Sequence, residues 1–190
     1  MNAFDCSCPK NKKYIYFFLF GVLIIIGTFV RFKGLGKWPL TVDEYYLVKS
    51  VENIIEFGLP RWSSGGLYVR GILLQYLMVP FFYIFESVEY ASRFIPAISN
   101  IITIIPLYII CNKISGKNLA IAVVIVFLFS SWQVEMARFA RFYSPFQCIF
   151  AWYLLFLYKY IIEDHKKSIY IVLALSLVSI FIWAGAIFII

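Results

Sequence analysis

The sequence predicts an all-α protein, a polytopic bundle of about five transmembrane helices with amphipathic juxtamembrane helices in its first external loop. Three observations carry that prediction. Hydrophobic residues make up 63% of the 190 and charged residues only 14%, where an ordinary soluble domain carries about a quarter charged. Mean hydropathy is +0.85. The apolar residues also fall into separate runs, and a helix needs roughly 20 of them to cross a hydrocarbon core of about 30 Å, so the chain holds about five spans and their loops in one membrane domain.

The first run, "YIYFFLFGVLIIIGTFV", follows Lys10, Lys12 and Lys13 and opens a span over 14–32. It is long for the core of a signal peptide, and the following "RFKGLG" is no small-residue cleavage site, so it is expected to be retained. Further apolar segments cover 71–85, 94–111, 119–134, 145–162 and 168–190. Charge decides which of them cross. If 71–85 does not, then Lys113, Lys117, Lys159, Lys166 and Lys167 fall on the same, cytoplasmic side as residues 1–13, as the positive-inside rule requires. Length agrees, because fifteen helical residues reach only about 22 Å and Pro80 interrupts them. The segment is therefore expected to lie in the outer interface, within an external loop over 33–93.

Inside that loop, "TVDEYYLVKSVENIIEFGLP" carries Leu47, Val48, Val51, Ile54 and Ile55 on one helical face and Lys49, Ser50, Glu52, Asn53 and Glu56 on the other. This is an amphipathic helix suited to the bilayer surface, ended by Gly58 and Pro60. Thr41 and Glu44 have the T-x-x-E spacing of a capping box, in which each side chain satisfies the other's backbone N–H. The box accounts for Glu44 but does not require Asp43 beside it; a further acid favoured by the helix dipole in a first turn is one reading, and an acid available for chemistry is the other.

The second external segment, "SWQVEMARFARFYSPF", sets Arg138 and Arg141 three apart, on one face if helical, with Glu135 three before Arg138. Interface anchoring by these arginines with Trp132 and Tyr143 is one reading; a phosphate clamp of paired guanidiniums is the other. Arg70, flanked by Gly65, Gly66 and Gly71, stands at the start of the non-crossing helix. Arg93, opening the 94–111 span, reads as an anchor.

Several function classes find no support. Net charge is +7, but the basic residues lie in small groups with no stripe or motif for nucleic acid; anionic lipid or a phosphorylated lipid is the expected counter-charge. The four cysteines form no disulfide framework and have no metal-ligand spacing, so no cofactor is expected, a divalent metal being left open without support from the sequence; Cys6 and Cys8 leave palmitoylation open. His165, in "EDHKK", reads as a solvated loop residue. The spans carry almost no mid-depth ionisable groups, against a coupled transporter.

The ordered set of a first span, an acidic pair at a surface helix, "GLYVRGILLQYLM", "SRFIPAISNIITIIPLYIICNKISGKNLA" and "MARFARFYSPFQ" resembles the GT-C membrane glycosyltransferases that use polyprenyl-phosphate sugars. The resemblance is to the group containing dolichyl-phosphate-mannose protein mannosyltransferases and the bacterial aminoarabinose transferase of lipid A, and covers about residues 14–162. It implies a catalytic base at Asp43, with Glu44 the second letter of the pair, a donor-phosphate contact near Arg70, and phosphate or substrate contacts at Arg138, Arg141 and Tyr143. Where the aminoarabinose transferase often has a second external acid, this chain has Ser144. The implied reaction moves a sugar from a polyprenyl-phosphate donor to a lipid or protein hydroxyl on the non-cytoplasmic side, with inversion. Such enzymes usually have about twice as many spans, so the chain is expected to be the N-terminal part of a larger module, or to work with a C-terminal partner half. The alternative is a non-catalytic membrane subunit or lipid-binding scaffold.

Overall fold

The computed structural model describes residues 10–62 and 64–188; residues 1–9, the greater part of the expected cytoplasmic segment and including Cys6 and Cys8, lie outside the described residues. The described chain is helical, in the order α1 (Lys10–Phe32), α2 (Val42–Phe57), α3 (Ile72–Ile84), α4 (Val88–Ile102), α5 (Ile104–Ser115), α6 (Lys117–Phe129), α7 (Ser131–Ala137), α8 (Tyr143–Ile161) and α9 (Ser168–Ile182), then a 3₁₀ turn over Ala184–Phe188. β pairing among the described residues is limited to an isolated bridge between Arg61 and Leu67.

The all-α expectation holds, and among the described residues one helix is long and apolar enough to cross a membrane: α4 and α5 run on through Thr103 as 28 residues, Val88–Ser115. The expected span over 119–134 is broken at Ser130, where α6 and α7 meet at a 61° bend; counted together they form a second candidate. Ile72–Ile84 and Ser168–Ile182 are apolar but shorter. The expected last span stops at Ile182, where Trp183 turns extended. The 19 residues of α8 have the length, but carry Tyr, Trp, Gln and Lys among the apolar positions.

Contacts sort the connections onto two ends of the bundle. At one end Lys113 of α5 bonds to Glu163 in the α8–α9 turn. At the other, the α1–α2 loop meets the start of α4, with Gly36 packed against Ser87 and Tyr90, and the 138–142 turn meets both α2 and Trp183. Both termini of α3 belong to this second end: Gly71 lies against the Ile182 carbonyl at the end of α9, and Phe85 packs on Tyr90 and Phe94 at the start of α4. Thirteen residues of α3 span about 20 Å and return to the end from which they left. The helix packs on α2, α4 and α9 around a core of Leu47, Val51, Leu74, Met78 and Ile182. Thus α2 does not float on its apolar face alone: Ser50 on its expected polar side is buried and donates to the Gln75 side-chain oxygen of α3 at 2.6 Å.

The bend at Ser130 leaves carbonyls near the end of α6 without the helical N–H groups that a continuous helix would offer. Arg31 supplies the missing donors. Its guanidinium, fully buried, donates to the Leu128 and Phe127 carbonyls at 3.0 and 3.3 Å, to Gly27 O at 2.9 Å and to the Asn100 side-chain oxygen at 2.7 Å. A cation at a helix C-terminus also meets the negative end of the helix dipole. The close approach of α1 to α6 depends on Gly27, where a Cβ would come within 2.5 Å of Leu128 Cδ2.

Candidate functional site

Construction of the site starts with the α2 N-terminus. Thr41 is the N-cap in extended geometry, and the expected capping box is complete: Glu44 N–H donates to Thr41 Oγ1 at 3.4 Å, and Thr41 N–H donates to Glu44 Oε2 at 2.9 Å. The rest of Glu44 goes well beyond a cap. Arg93 Nε and Nη2 donate to its two oxygens, each at 2.8 Å, and Ala140 N–H donates to Oε1 at 2.8 Å. The remaining Arg93 protons go to the carbonyls of Leu35, Trp38 and Pro39 at 3.0, 2.8 and 3.0 Å. Every guanidinium N–H is thereby used. One buried pair joins four segments: the α1–α2 loop, α2, α4 and the α7–α8 turn.

Two expectations change here. Arg93 is no interfacial anchor, since it is 4% exposed and holds Glu44. Glu44, expected as half of a catalytic acidic pair, is 0% exposed, with both oxygens engaged by hydrogen bonds from Arg93, Ala140 and Thr41. Burial by itself pushes the Glu44 carboxyl up; the Arg93 guanidinium and the Ala140 and Thr41 N–H groups outweigh that and hold it below the ordinary carboxylate range.

The Glu44–Ala140 bond has a geometric consequence. It brings the neighbours of its two ends together, so Asp43 and Arg141, 98 residues apart, face each other. Arg141 Nη2 lies 3.4 Å from Asp43 Oδ2, and Nη1 donates to the Asp43 carbonyl at 3.2 Å and to Tyr68 Oη at 3.4 Å. The two partners differ in access: the Asp43 side chain is 57% exposed and that of Arg141 8%. Arg141 Nε is buried without a hydrogen-bond partner, and so is the Ser144 hydroxyl at the start of α8. Asp43 therefore presents an open carboxylate edge backed by a half-satisfied buried cation. The capping box does not involve Asp43 at all.

Arg138 and Arg141 do not share a helix face. α7 ends at Ala137, and the residues between it and Tyr143 form a turn that sends the two side chains apart. Arg138 Nη2 donates to Gly34 O at 3.2 Å. It lines a cavity of about 730 Å³ with Trp38, Thr41, Ser131 and Glu135, and the buried Glu44–Arg93 pair forms part of the same wall. Tyr143 is exposed, its ring 4.8 Å from Phe142 and parallel to Phe139 at 6.3 Å, and it borders a neighbouring aromatic groove of about 600 Å³ with Trp132, Phe146 and Trp183. Arg70 is exposed, two residues beyond Tyr68; its carbonyl accepts from Gln75 Nε2 at 2.9 Å, which fixes the backbone and leaves the guanidinium at the surface.

Of the expected site residues, then, Asp43 and Arg141 meet directly with Tyr68 beside them, Arg70 follows on the same strand of chain, Arg138 and Tyr143 flank the two neighbouring cavities, and Glu44 is sealed beneath. Tyr68 and Arg93 were missed as partners. Both sit in apolar stretches, and nothing local in the sequence marks a contact with residues 73 or 49 positions away. Comparison with protein-family models, with curated proteins and with solved structures finds no match to this chain.

Proposed function

We propose that the chain is a multi-pass membrane protein and that its Asp43–Arg141 corner serves sugar transfer from a polyprenyl-phosphate donor, on the face where the α1–α2 loop, α3 and the α7–α8 turn gather. In this reading α1, α4–α5, the bent α6–α7 pair, α8 and α9 cross the bilayer, α3 lies in the outer interface, and the lysine-bearing turns stay cytoplasmic. The segregation of Lys113 and Glu163 at one end and of both α3 termini at the other supports that path.

The observation that carries the enzymatic reading is the pairing of an exposed carboxylate with a buried guanidinium that has an unpartnered donor. A polyprenyl phosphate is already a good anionic leaving group, so the reaction needs a base and a cation more than an acid. Asp43 would take the proton of the acceptor hydroxyl as its oxygen bonds to the anomeric carbon. The bond from that carbon to the phosphate oxygen breaks on the opposite face, the electron pair leaves with the phosphate, and the anomeric centre inverts. Arg141, assisted by Arg70 at the surface, would hold the donor phosphate on the face of the sugar away from the attacking hydroxyl, and charge-assisted bonds of this type suit a planar guanidinium.

The test is donor capture against turnover. Chain reconstituted in liposomes is given a panel of polyprenyl-phosphate sugars carrying a photoreactive lipid end; cross-linking reports capture and release of polyprenyl phosphate reports turnover. Arg141→Met should lose capture, while Asp43→Asn should keep capture and lose turnover. Turnover that survives Asp43→Asn removes the proposal.

A second reading, a non-catalytic scaffold, is favoured by one feature: Arg141 is already engaged by the Asp43 carbonyl and Tyr68, as a structural clamp would be. Under it, Asp43→Asn and Asp43→Ser leave every lipid readout unchanged.

A further inference from the structure

The bundle carries a second cleft at the end remote from Asp43. α1 and α6 touch closely at Gly27 and Leu128, and from there towards the Lys113–Glu163 end they part around a groove of about 590 Å³. Leu19 and Leu23 of α1 form one wall, Ile121 and Ile125 of α6 the other, and Lys117 and Asn118 stand at its α6 start. The Phe20 and Tyr108 rings, 6.1 Å apart, bridge α1 to α5 across it. A Cβ added at Gly21, on the same stretch of α1, would meet nothing within 4 Å. The volume lies within the range of roughly 300–1,000 Å³ typical of pockets for small ligands.

We infer that this wedge holds one acyl chain of an anionic phospholipid, with the phosphate against Lys117 and Asn118. An apolar slot alone selects no lipid, because acyl tails are as apolar as its leucines. The headgroup end selects. Lys117 makes no ion pair among the described residues, whereas Lys113 nearby in sequence is taken by Glu163. Lys159 in the last turn of α8 and Lys166 and Lys167 in the α8–α9 turn stand at the same end, and basic pockets between helices on the cytoplasmic side suit anionic headgroups. The inference rests on the bilayer placement proposed above and not on sugar transfer.

The experiment uses the purified chain in detergent, exposed to phosphatidylglycerol or phosphatidylcholine with identical tails, with retained lipid counted by native mass spectrometry. Phosphatidylglycerol is expected to be retained preferentially. Lys117→Gln should reduce its retention about fivefold, the weight of one lysine at an anionic surface, and leave phosphatidylcholine unaltered. Ile125→Trp, which fills the slot, should displace the lipid while keeping Lys117. Equal retention of the two headgroups, an unchanged Lys117→Gln variant, or displacement by millimolar inorganic phosphate with the acyl chain irrelevant would each overturn the inference. Alkaline carbonate extraction separates the two claims: a chain that stays in the membrane pellet but shows no headgroup preference loses this inference alone, and a chain that is extracted loses the bilayer placement.

Discussion

Glu44→Ala should cost far more stability than any change at its neighbour Asp43. Removing the carboxylate strands two of the five Arg93 N–H groups, together with the Ala140 and Thr41 N–H groups, in a region closed to water. Breaking a buried ion pair from one side costs about 3–5 kcal/mol. The lost cap, worth about 1 kcal/mol in isolation, belongs to the same network and does not add in full. A loss of about 4 kcal/mol, at about 2–4 °C per kcal/mol for a chain of this size, lowers the thermal midpoint by roughly 8–16 °C. Asp43→Asn breaks only a half-exposed contact and should change stability by less than about 0.5 kcal/mol. The assay is survival of the monodisperse size-exclusion peak after a temperature series in detergent. The double variant Glu44→Met/Arg93→Met should recover much of the loss, since it removes both buried charges. Equal midpoints for Glu44→Ala and Asp43→Asn, or a double variant as damaged as the sum of its parts, would refute the role given to the pair.

Acid should act through the same pair. The folded Glu44 pKa lies below its unfolded value of 4.5, so its contribution is complete above 4.5 and is lost as pH falls through the lower folded value; Glu44→Gln should flatten that part of the stability–pH curve in acid denaturation. Arg31→Met leaves the Phe127 and Leu128 carbonyls unpaired at the Ser130 bend and should cost about 2–4 kcal/mol, with Arg31→Lys recovering part, measured by the same thermal series. Gly27→Ala forces Leu128 aside and should cost about 1–3 kcal/mol. Cysteines placed at Ser115 and Gly65 should label from opposite sides of sealed vesicles; labelling from one side would break the proposed path through the bilayer.

The local grammar of the chain was readable in advance. Thr41 and Glu44 form the box that their spacing promised, Gly58 adopts the left-handed C-cap that ends α2, and Leu47, Val48, Val51 and Ile54 are buried as their periodicity required. Pro80 does stand inside a helix of 13 residues, Ile72–Ile84, whose two ends meet the same end of the bundle. What local pattern does not encode is the partner of a lone charge. An arginine at the mouth of an apolar run looks the same whether it anchors in headgroups or reaches 49 positions back to a carboxylate, and Arg93 does the latter. Arg31 likewise reads as the end of a span, yet two of its partners, the Leu128 and Phe127 carbonyls, are free to accept because the chain breaks at Ser130. The i,i+3 spacing of Arg138 and Arg141 misled because it presumes helix, and the helix stops one residue earlier. The site is thus half local and half tertiary. Asp43 is placed by an N-terminal cap visible in the sequence, and Arg141 reaches it through a Glu44–Ala140 bond that no spacing reveals.

In the proposed reading Asp43 acts while Glu44 holds it in place. The most direct measurement is release of polyprenyl phosphate by liposome-reconstituted Asp43→Asn, beside cross-linking of the same donor. The account predicts capture near the unmodified level with release lowered at least about a hundredfold, the contribution of a general base. Release and capture both unchanged would contradict it.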